Sequence, residues 1–386
     1  MRNIHNAPAP DERSARKIYL NPGIFESAGG PASFARKLNA YLLDSNSAIR
    51  FSSEINQSDA VLAIGESVSF RYLYIAWRSS KKVIHRLDAR RRPSRLIAFP
   101  GFFQFGILKK IFNESRLLVK SWIFSVLADE VIVQSDYVIK EWRSAIAVRK
   151  KIGKPGPVRI YNAAVPAKRI TGQMQRRLGP KYHHTHLNLV STQGYVHDSA
   201  ILARLTAAVG ETVFQRIVSR GLGQGVRVRV CIFGNLDNLA KYGIQPGTVI
   251  GPEASGCVSL EFLGASPHDR VVRALASPET IGFLQLQDAP ACPNGIIEAQ
   301  AYGLPVIGGT GGAIEELTVV KGLLLDPYYA DNISFCEALA QRIVWAALKR
   351  WDVSSVIQGQ SEYFFGVRGF RLYEHELERM VTPSKG

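Results

Sequence analysis

The chain has 386 residues, of which 46% are hydrophobic, 10% aromatic and 21% charged, with 33 glycines and 19 prolines. This globular composition excludes disorder, collagen-like repeats and a coiled coil, and the length favours two domains. Four scattered cysteines without a Cys-x-x-Cys spacing argue against a disulfide framework or a cysteine zinc site, and fit a reducing cytoplasm. We expect no signal peptide, and the 13-residue uncharged run 96–108 is too short to span a bilayer.

The positive charge is concentrated in the first half of the chain. The formal net charge is +16, to which residues 1–180 contribute +18 and residues 181–386 contribute −2. A basic half concentrates anions, so nucleic acid, anionic lipid and a phosphorylated or acidic substrate are the candidate partners. A solvated surface without a specific partner is the alternative, although the confinement of the excess to one half argues against it.

Short β-rich segments alternate with helical ones along the whole chain. This alternation predicts an α/β fold with parallel sheets that are covered by helices on both faces. The predicted strands are 17–20, 60–64, 82–85, 130–134, 158–161, 187–191, 226–233, 259–262, 282–286, 306–308 and 322–325. The predicted helices include 31–43, 200–219, 268–276, 295–302 and 334–349, followed by an aromatic-rich helical tail over 361–380.

A segment rich in glycine, proline and basic residues, 166–186, is the predicted linker. It lies where the charge changes sign. We therefore expect an N-terminal domain over 1–165 and a C-terminal domain over 187–360, with the tail 361–386 returning to the first domain. Two α/β domains joined in this way enclose a cleft, which is the usual place for a ligand.

The most informative stretch is CPNGIIEAQAYGLPVIGGTGGAIEEL, residues 292–317. A turn at 293–295 opens a short helix that carries Glu298, and a glycine-rich turn at 308–312 opens a second helix after a buried strand. Backbone N–H groups at such helix starts bind phosphate, and a carboxylate one turn further accepts two hydroxyls of a ribose. An ordinary strand–turn–helix with a capping glutamate is the alternative interpretation.

This stretch resembles the donor-site signature of family-4 retaining glycosyltransferases, in which Glu-Ala is followed by A-x-G-x-P-V and G-G-x-x-E. Four more segments resemble the family in the same order: GGPASFA at 29–35, KKVIHRLDA at 81–89, ADEVIVQSDYVIKEW at 128–142 and RIYNAAV at 159–165. The resemblance implies the GT-B architecture, two Rossmann-like domains with parallel sheets facing a central cleft. It also implies retaining transfer of a hexose from a nucleotide-sugar, UDP- or GDP-linked, without a metal or a cofactor.

The resemblance also assigns roles to individual residues. His85 and Glu298 are expected in catalysis, near the transferred sugar and on the ribose, with Asp288 as the third catalytic candidate. The expected donor-binding residues are Gly29, Gly30, Gln193, Gly194, Pro293, Asn294, Gly295, Ile296, Gly311 and Gly312. The expected acceptor- or phosphate-binding residues are Arg86, Asp88 and Arg90. A packed histidine at 85 and a local ion pair between Arg86 and Asp88 are the structural alternatives.

The sequence departs from the family pattern in two places. The family's first glutamate lies eight residues before Glu298, where this chain has Pro290, and Asp288 is the candidate substitute. The family also holds the diphosphate with an Arg and a Lys, but no Arg or Lys lies between Lys181 and Arg204. The main alternative to an enzyme is therefore a non-catalytic glycosyltransferase-like protein that binds sugar nucleotide or glycan and partners an active transferase.

A basic and aromatic segment, 86–112, combines an arginine cluster with the apolar run IAFPGFFQFGILKKIF. Such a segment suits an anionic membrane surface, although its phenylalanines also suit a core or an acceptor pocket. We expect an anionic or lipid-linked glycan acceptor in polysaccharide or glycolipid assembly, and a cytoplasmic protein with peripheral contact at the inner face of the plasma membrane. No nucleic-acid motif is present, and the histidines at 183, 184, 186 and 197 lack the spacing of metal ligands.

Overall fold

The structure is a computed structural model that describes residues 15–26, 30–65, 69–88, 105–163, 185–196, 199–251, 256–326 and 331–382. These residues form two compact units. Unit 1 contains residues 15–26, 31–161 and 369–382, and unit 2 contains residues 30 and 162–368. Most of the predicted linker lies outside the described residues. Among the helices of the described part, none has the length and apolar character needed to cross a membrane.

Unit 1 is built on a six-stranded parallel sheet with the order β2-β1-β3-β4-β5-β6. Its strands are β1 (Arg16–Tyr19), β2 (Ile49–Ser52), β3 (Ala60–Ile64), β4 (Lys82–Leu87), β5 (Glu130–Val133) and β6 (Val158–Arg159). Its helices are α1 (Gly23–Glu26), α2 (Gly30–Asp44), α3 (Phe70–Arg78), α4 (Phe105–Leu127), α5 (Asp136–Glu141), α6 (Arg143–Lys151) and, near the end of the chain, α13 (Val367–Val381).

Unit 2 is built on a seven-stranded sheet with the order β13-β12-β11-β7-β8-β10-β9, in which only β9 is antiparallel to its neighbour. Its strands are β7 (His186–Tyr195), β8 (Arg227–Asn235), β9 (Val249–Ile250), β10 (Val258–Gly264), β11 (Thr280–Gln285), β12 (Val306–Gly309) and β13 (Leu324–Leu325). Its helices are α7 (Ala200–Gly210), α8 (Thr212–Leu222), α9 (His268–Ala276), α10 (Asn294–Ala301), α11 (Ile314–Leu317) and α12 (Asn332–Phe365).

Burial along the strands explains why the sequence forms parallel sheets. Every residue of β3, β5 and β11 is buried, as in strands that are covered by helices on both faces. Strand β10 instead alternates buried and half-buried residues, which suits its place beside the short edge strand β9. The hydrophobic core of unit 2 extends from these strands into α7, α8 and α12.

The predicted α/β fold class is confirmed, and the structure corrects the predicted elements in detail. The sequence analysis misses β2 and β9, which have four and two residues and lie at sheet edges. The predicted helix 200–219 is two helices, α7 and α8, that meet at Glu211. The predicted helix 334–349 lies in the first half of the 34-residue α12, and the helical tail breaks at Gly366 before α13 begins.

The last helix, α13, packs on the helices of unit 1 through aromatic rings. The Tyr373 ring lies 4.7 Å from the Phe34 ring of α2, and the Phe370 ring stacks on Tyr41 at 5.3 Å. The Tyr41 hydroxyl also lies 3.0 Å from a carboxylate oxygen of Glu374. Unit 1 is therefore assembled from two segments that are far apart in the sequence.

Candidate functional site

The strand order of unit 2 reverses between β7 and β11. Strand β7 leads through α7 and α8 to β8 on one side, whereas β11 leads through α10 to β12 on the other side. In open parallel sheets, ligands bind in the crevice outside the carboxyl ends of the two strands at such a switch point. The residues that follow β7, β11 and β12 therefore define the candidate site of this unit.

Strand β7 ends in an irregular segment that carries unpartnered polar atoms. Its pairing with β8 shifts register between Thr192 and Tyr195, so Gln193 and Gly194 lie at a bulge. Both polar atoms of the Gln193 side chain, and the hydroxyl of Ser191, are shielded from solvent without a hydrogen-bond partner in the described part of the chain. Such orphaned groups cost roughly 1–3 kcal/mol each, so a polar ligand at this edge would relieve the cost.

The N-terminus of α10 lies directly against the end of β7. A Cβ atom on Gly295 would lie 2.5 Å from Thr192 Oγ1 and 2.6 Å from Phe283 Cζ, so glycine is needed for this close approach. Pro293 precedes the helix and makes no side-chain cap, while the Ile296 N–H turns back to the Pro293 carbonyl at 3.1 Å. The first turn of a helix has more N–H donors than intrahelical acceptors, which makes this end suitable for an anion.

A buried side chain that the sequence analysis does not single out, Asn162, fixes the start of α10. It is 2% exposed, and its Nδ2 donates to the Cys292 carbonyl at 3.0 Å and to Asn294 Oδ1 at 2.8 Å. The only signal for Asn162 in the sequence is its place in the RIYNAAV segment, which resembles the family. The amide thus connects the chain before β7 to the turn that opens α10.

The glycine turn after β12 packs on the backbone of residues 288–290. A Cβ atom on Gly311 would lie 1.8 Å from the Asp288 carbonyl oxygen, and one on Gly312, where φ is +66°, would lie 2.5 Å from the Pro290 carbonyl oxygen. The Ala313 N–H donates to the same Pro290 oxygen at 2.9 Å. The backbone carbonyl of Pro290 therefore holds the glycine turn in place.

The predicted ribose ligand, Glu298, lies half-buried on α10, four residues after Asn294. Residues at this spacing share one face of a helix, so Glu298 and the start of α10 belong to the same side. Burial raises the pKa of Tyr302, and the negative charge of Glu298 raises it further. The first basic residue after β7, Arg204, places its guanidinium 5.5 Å from the centre of the Phe335 ring of α12.

In unit 1, the predicted catalytic residue His85 is fully buried on β4. Its Nε2 lies 3.0 Å from the Gly65 carbonyl oxygen, its Nδ1 lies 3.4 Å from Ser125 Oγ, and its ring lies 5.7 Å from that of Phe124. Burial lowers the pKa of His85 from 6.5 to about 4, so the ring is neutral. The ring is packed inside unit 1, and its contact with a transferred sugar stays a prediction.

Arg86, an expected acceptor- or phosphate-binding residue, is buried among contacts within unit 1. The guanidinium is 1% exposed, with Nη1 at 2.9 Å from Asp88 Oδ1 and Nε at 3.2 Å from the Tyr373 hydroxyl. It also lies 4.0 Å from the centre of the Phe34 ring. Asp88 accepts a further hydrogen bond from the Gln134 side chain. Arg86 forms the ion pair with Asp88 and joins β4 to α2 and α13, while its role in binding an acceptor or phosphate stays a prediction.

For the remaining predicted site residues the structure gives only a position in the chain or none. Gly30 is the first residue of α2, and Gly194 lies in β7. Gly29 and Arg90 lie outside the described residues, as does most of the basic segment 86–112 up to residue 104. Within the described ranges, His, Cys, Asp and Glu form no group of three that is placed to hold a metal ion.

Solved structures with the same architecture cover almost the whole chain. The chain is similar to a sucrose-phosphate synthase from Thermosynechococcus elongatus, with a TM-score of 0.62 and 13% identity over 96% of this chain and 99% of that one. It is also similar to a UDP-forming α,α-trehalose-phosphate synthase from Burkholderia xenovorans in complex with glucose-6-phosphate (TM-score 0.55, 10% identity, 95% and 100% covered). A third similar structure is Anabaena HepE in complex with UDP-glucose (TM-score 0.52, 14% identity, 95% and 99% covered).

These similarities establish the fold. The neighbours are GT-B glycosyltransferases, so the predicted GT-B class, with two Rossmann-like units, is confirmed. No protein-family model matches the sequence, and the search of curated proteins finds no match. Membership of family 4 therefore stays a prediction that rests on the signature at 292–317.

Proposed function

We propose that this protein is a glycosyltransferase that takes a sugar from a nucleotide-sugar donor bound at the switch point of unit 2. The observation that carries the proposal is the orphaned amide of Gln193, which is shielded from solvent at the end of β7. The N-terminus of α10 lies against the same strand end. Two of the similar structures add support, since HepE is described with UDP-glucose and the trehalose-phosphate synthase as UDP-forming. A UDP-linked donor is therefore the first candidate, and a GDP-linked donor the second.

Each part of the site has a task in this proposal. The N–H groups of the first turn of α10 and the glycine turn at Gly311 and Gly312 face the donor's phosphates, and Glu298 accepts hydroxyls of the ribose. When the bond from the anomeric carbon to the diphosphate breaks, the leaving group gains negative charge. Fixed N–H donors stabilise that charge because they need no reorganisation during the reaction. Asn162 has a positioning role, since it holds the start of α10 in place.

We further propose that the transfer is retaining and needs no metal, and that the acceptor is an anionic or lipid-linked glycan. In a retaining transfer without a covalent intermediate, the acceptor hydroxyl attacks from the face that the diphosphate leaves, so its orientation matters more than a strong base. The basic composition of residues 1–180, with a net charge of +18, supports an anionic acceptor. Membership of family 4 and a part in polysaccharide or glycolipid assembly belong to the same proposal.

A second candidate function has specific support from two residues. Pro290 occupies the place of a family glutamate and contributes its backbone carbonyl to the glycine turn. Arg204, the first basic residue after β7, stacks over Phe335. A protein that binds a nucleotide-sugar or glycan without turnover, and partners an active transferase, would retain the donor site and lack this chemistry.

The test combines donor binding with donor turnover. The purified protein is titrated by calorimetry with UDP-, GDP-, ADP-, dTDP- and CDP-sugars, and released nucleotide is measured with and without a membrane extract. We expect one donor to bind, and Gln193→Ala and Glu298→Gln to weaken its binding at least tenfold, which is about 1.4 kcal/mol. Gln341→Ala and Glu337→Gln, at exposed positions of α12, are the matched controls and should bind as the wild type does.

The outcomes separate the candidate functions. Turnover of the bound donor, lost in Glu298→Gln, would support the transferase. Binding that depends on Gln193 but gives no turnover with any extract would support the non-catalytic partner. Binding that is indifferent to both variants would contradict a donor site at this switch point.

A further inference from the structure

A stripe of exposed aromatic side chains runs along α3 in unit 1. Phe70, Tyr74 and Trp77 are 47%, 53% and 77% exposed, and their spacing of four and then three residues places them on one face of the helix. Ala76, on the opposite side, is fully buried. The helix thus packs on unit 1 through small and aliphatic residues and presents its largest rings to solvent. We call Phe70, Tyr74 and Trp77 the aromatic stripe.

Exposure of these rings is unusual for a helix of a globular protein. Tryptophan is normally well buried, as Trp142 is in the same unit at 5% exposure. A contiguous set of exposed apolar side chains marks an interaction surface, whereas a single one needs no explanation. Tyrosine and tryptophan are also the residues that concentrate at the boundary between a bilayer and water, because one end of each side chain is apolar and the other is polar.

Two arginines lie along one edge of the aromatic stripe. Arg71 and Arg78 follow Phe70 and Trp77 in the sequence and are exposed, and they are seven residues apart, so they lie on the same side of α3. The Arg78 guanidinium is 6.0 Å from the centre of the Tyr74 ring. The sequence of α3, FRYLYIAWR, contains no acidic residue. The surface therefore combines aromatic rings with a positive charge that no residue of α3 offsets.

The neighbouring helix α4 extends this surface. The Phe70 ring lies 5.5 Å from that of Phe124 on α4, and Lys120 Nζ lies 5.9 Å from the Phe124 ring centre on the same helix. Lys120 of α4 thus adds a third basic side chain next to Phe70, so the surface is formed by tertiary structure and not by α3 alone.

We propose that the aromatic stripe of α3, with Arg71 and Arg78, docks on an anionic lipid bilayer. The rings enter the boundary between headgroups and acyl chains while the arginines bind lipid phosphates, as in helices that lie in the plane of a membrane surface. The inference goes beyond the proposed transferase and does not depend on the donor site. It also differs from the predicted membrane contact of segment 86–112, because α3 contributes none of those residues.

The positive charge beside the aromatic stripe favours an anionic bilayer over a second copy of the chain as its partner. Two copies meeting through their aromatic stripes would bring the arginines of both into one interface, where like charges repel. An anionic bilayer instead offers a negative surface potential that attracts basic residues within a Debye length, about 8 Å at physiological ionic strength. The net charge of +18 over residues 1–180 adds to this attraction.

The test measures binding of the full-length chain to vesicles of phosphatidylcholine alone and of phosphatidylcholine mixed with phosphatidylglycerol. One variant replaces the aromatic stripe (Phe70→Ser, Tyr74→Ser, Trp77→Ser) and a second reverses the charges (Arg71→Glu, Arg78→Glu). The matched control is Lys241→Glu with Tyr242→Ser, because Tyr242 is 52% exposed in unit 2 and lies beneath Lys241 at 4.6 Å. Thermal melting confirms that each variant is folded.

We expect the wild type to float with the mixed vesicles but not with neutral ones, and its binding to fall as salt is raised. Each α3 variant should lose at least tenfold in partition coefficient, while the control keeps the wild-type value. Tryptophan fluorescence should shift to the blue on binding, and Trp77→Phe should remove most of that shift. Equal binding by the wild type and both α3 variants would overturn the proposal.

Two further outcomes would also overturn the proposal. One is that the wild type binds neither the neutral nor the mixed vesicles. A wild-type dimer in solution that becomes monomeric in the stripe variant, without binding to vesicles, would assign the surface to a second copy of the chain. Donor binding, measured separately, should be the same in every variant, so a failure here is distinguishable from a failure of the proposed donor site.

Discussion

The imidazole of His85 is held in unit 1 without contact with solvent, and its Nε2 lies 3.0 Å from the Gly65 carbonyl oxygen. Burial lowers its pKa from 6.5 to about 4. The unfolded chain therefore takes up a proton as the pH falls through 6.5, whereas the folded chain does so only near 4. The stabilisation from neutral His85 is complete above pH 6.5 and is lost as the pH falls towards 4, by about 3 kcal/mol in all.

This linkage is measured by chemical denaturation at a series of pH values between 4 and 8. We expect His85→Gln, whose amide can still donate to the Gly65 carbonyl, to flatten the fall in unfolding free energy below pH 6.5. The control is His268→Gln, since His268 is exposed at the start of α9. A wild-type stability that is level from pH 7 to pH 4.5 would contradict the assignment of a buried neutral ring.

For His85 and Arg86, the sequence predicts the secondary structure but not the environment of the side chains. The segment VIHRLDA places His85 and Arg86 correctly on a strand near the carboxyl edge of a sheet. It does not reveal their environment, because the Arg86 guanidinium is covered by Tyr373, which lies 287 residues further along the chain. The sequence analysis does not identify Asn162 either, because its two hydrogen-bond acceptors lie about 130 residues away, at Cys292 and Asn294. Contacts between such distant residues leave no local pattern.

At the scale of the element, α10 depends on a side chain that is not part of it. Asn162 donates from one amide nitrogen to the Cys292 carbonyl and to Asn294 Oδ1. Asn162→Asp keeps the shape of the side chain but removes both donors and sets a carboxylate against two acceptors. We expect a loss of about 1–3 kcal/mol in unfolding free energy and weaker binding of the donor sugar-nucleotide.

Denaturation and calorimetric titration on the same preparation check this expectation. Asn238→Asp makes the same chemical change at an exposed position of unit 2 and should leave both measurements unchanged. If Asn162→Asp were as stable as the wild type and bound donor equally well, the start of α10 would not depend on Asn162.

The elements themselves are largely predictable, because β11 and the other buried strands are apolar runs between turn residues. The errors occur where burial is weakest. Strand β2 is a four-residue edge strand with only Ile49 fully buried, and β9 has two residues. Gly210 ends α7 directly before the break at Glu211, but the apolar pattern continues from α7 into α8, so the sequence analysis predicts a single helix across this glycine.

At the scale of the whole molecule, the sequence indicates two α/β units, and the alternation of strands and helices is sufficient for that. Charge separates the two halves as well, with +18 on residues 1–180 and −2 on the remainder. The aromatic stripe of α3 is not predictable in this way, because FRYLYIAWR is as consistent with a buried helix as with an exposed one. Only the packing of Ala76 against the unit, with Trp77 left outside, decides the matter.

Unit 1 includes α13, although this helix lies at the other end of the described chain. Deleting residues 367–386 removes the partners of Phe34 and Tyr41 and takes the Tyr373 hydroxyl from buried Arg86. Loss of large buried aromatics typically costs about 3–5 kcal/mol for each one. Unit 1 should therefore open more readily, while the core of unit 2 keeps its own contacts.

Hydrogen exchange read by mass spectrometry distinguishes the two units in one experiment. In the deletion variant we expect faster exchange in β1, β3 and β4, with β7, β8 and β11 protected as in the full chain. Tyr373→Phe keeps the ring and removes only the hydroxyl, so it should cost about 1 kcal/mol and give a small change confined to unit 1. Equal acceleration in both sheets would mean that the units unfold as one body, and no acceleration in β4 would mean that Arg86 does not need α13.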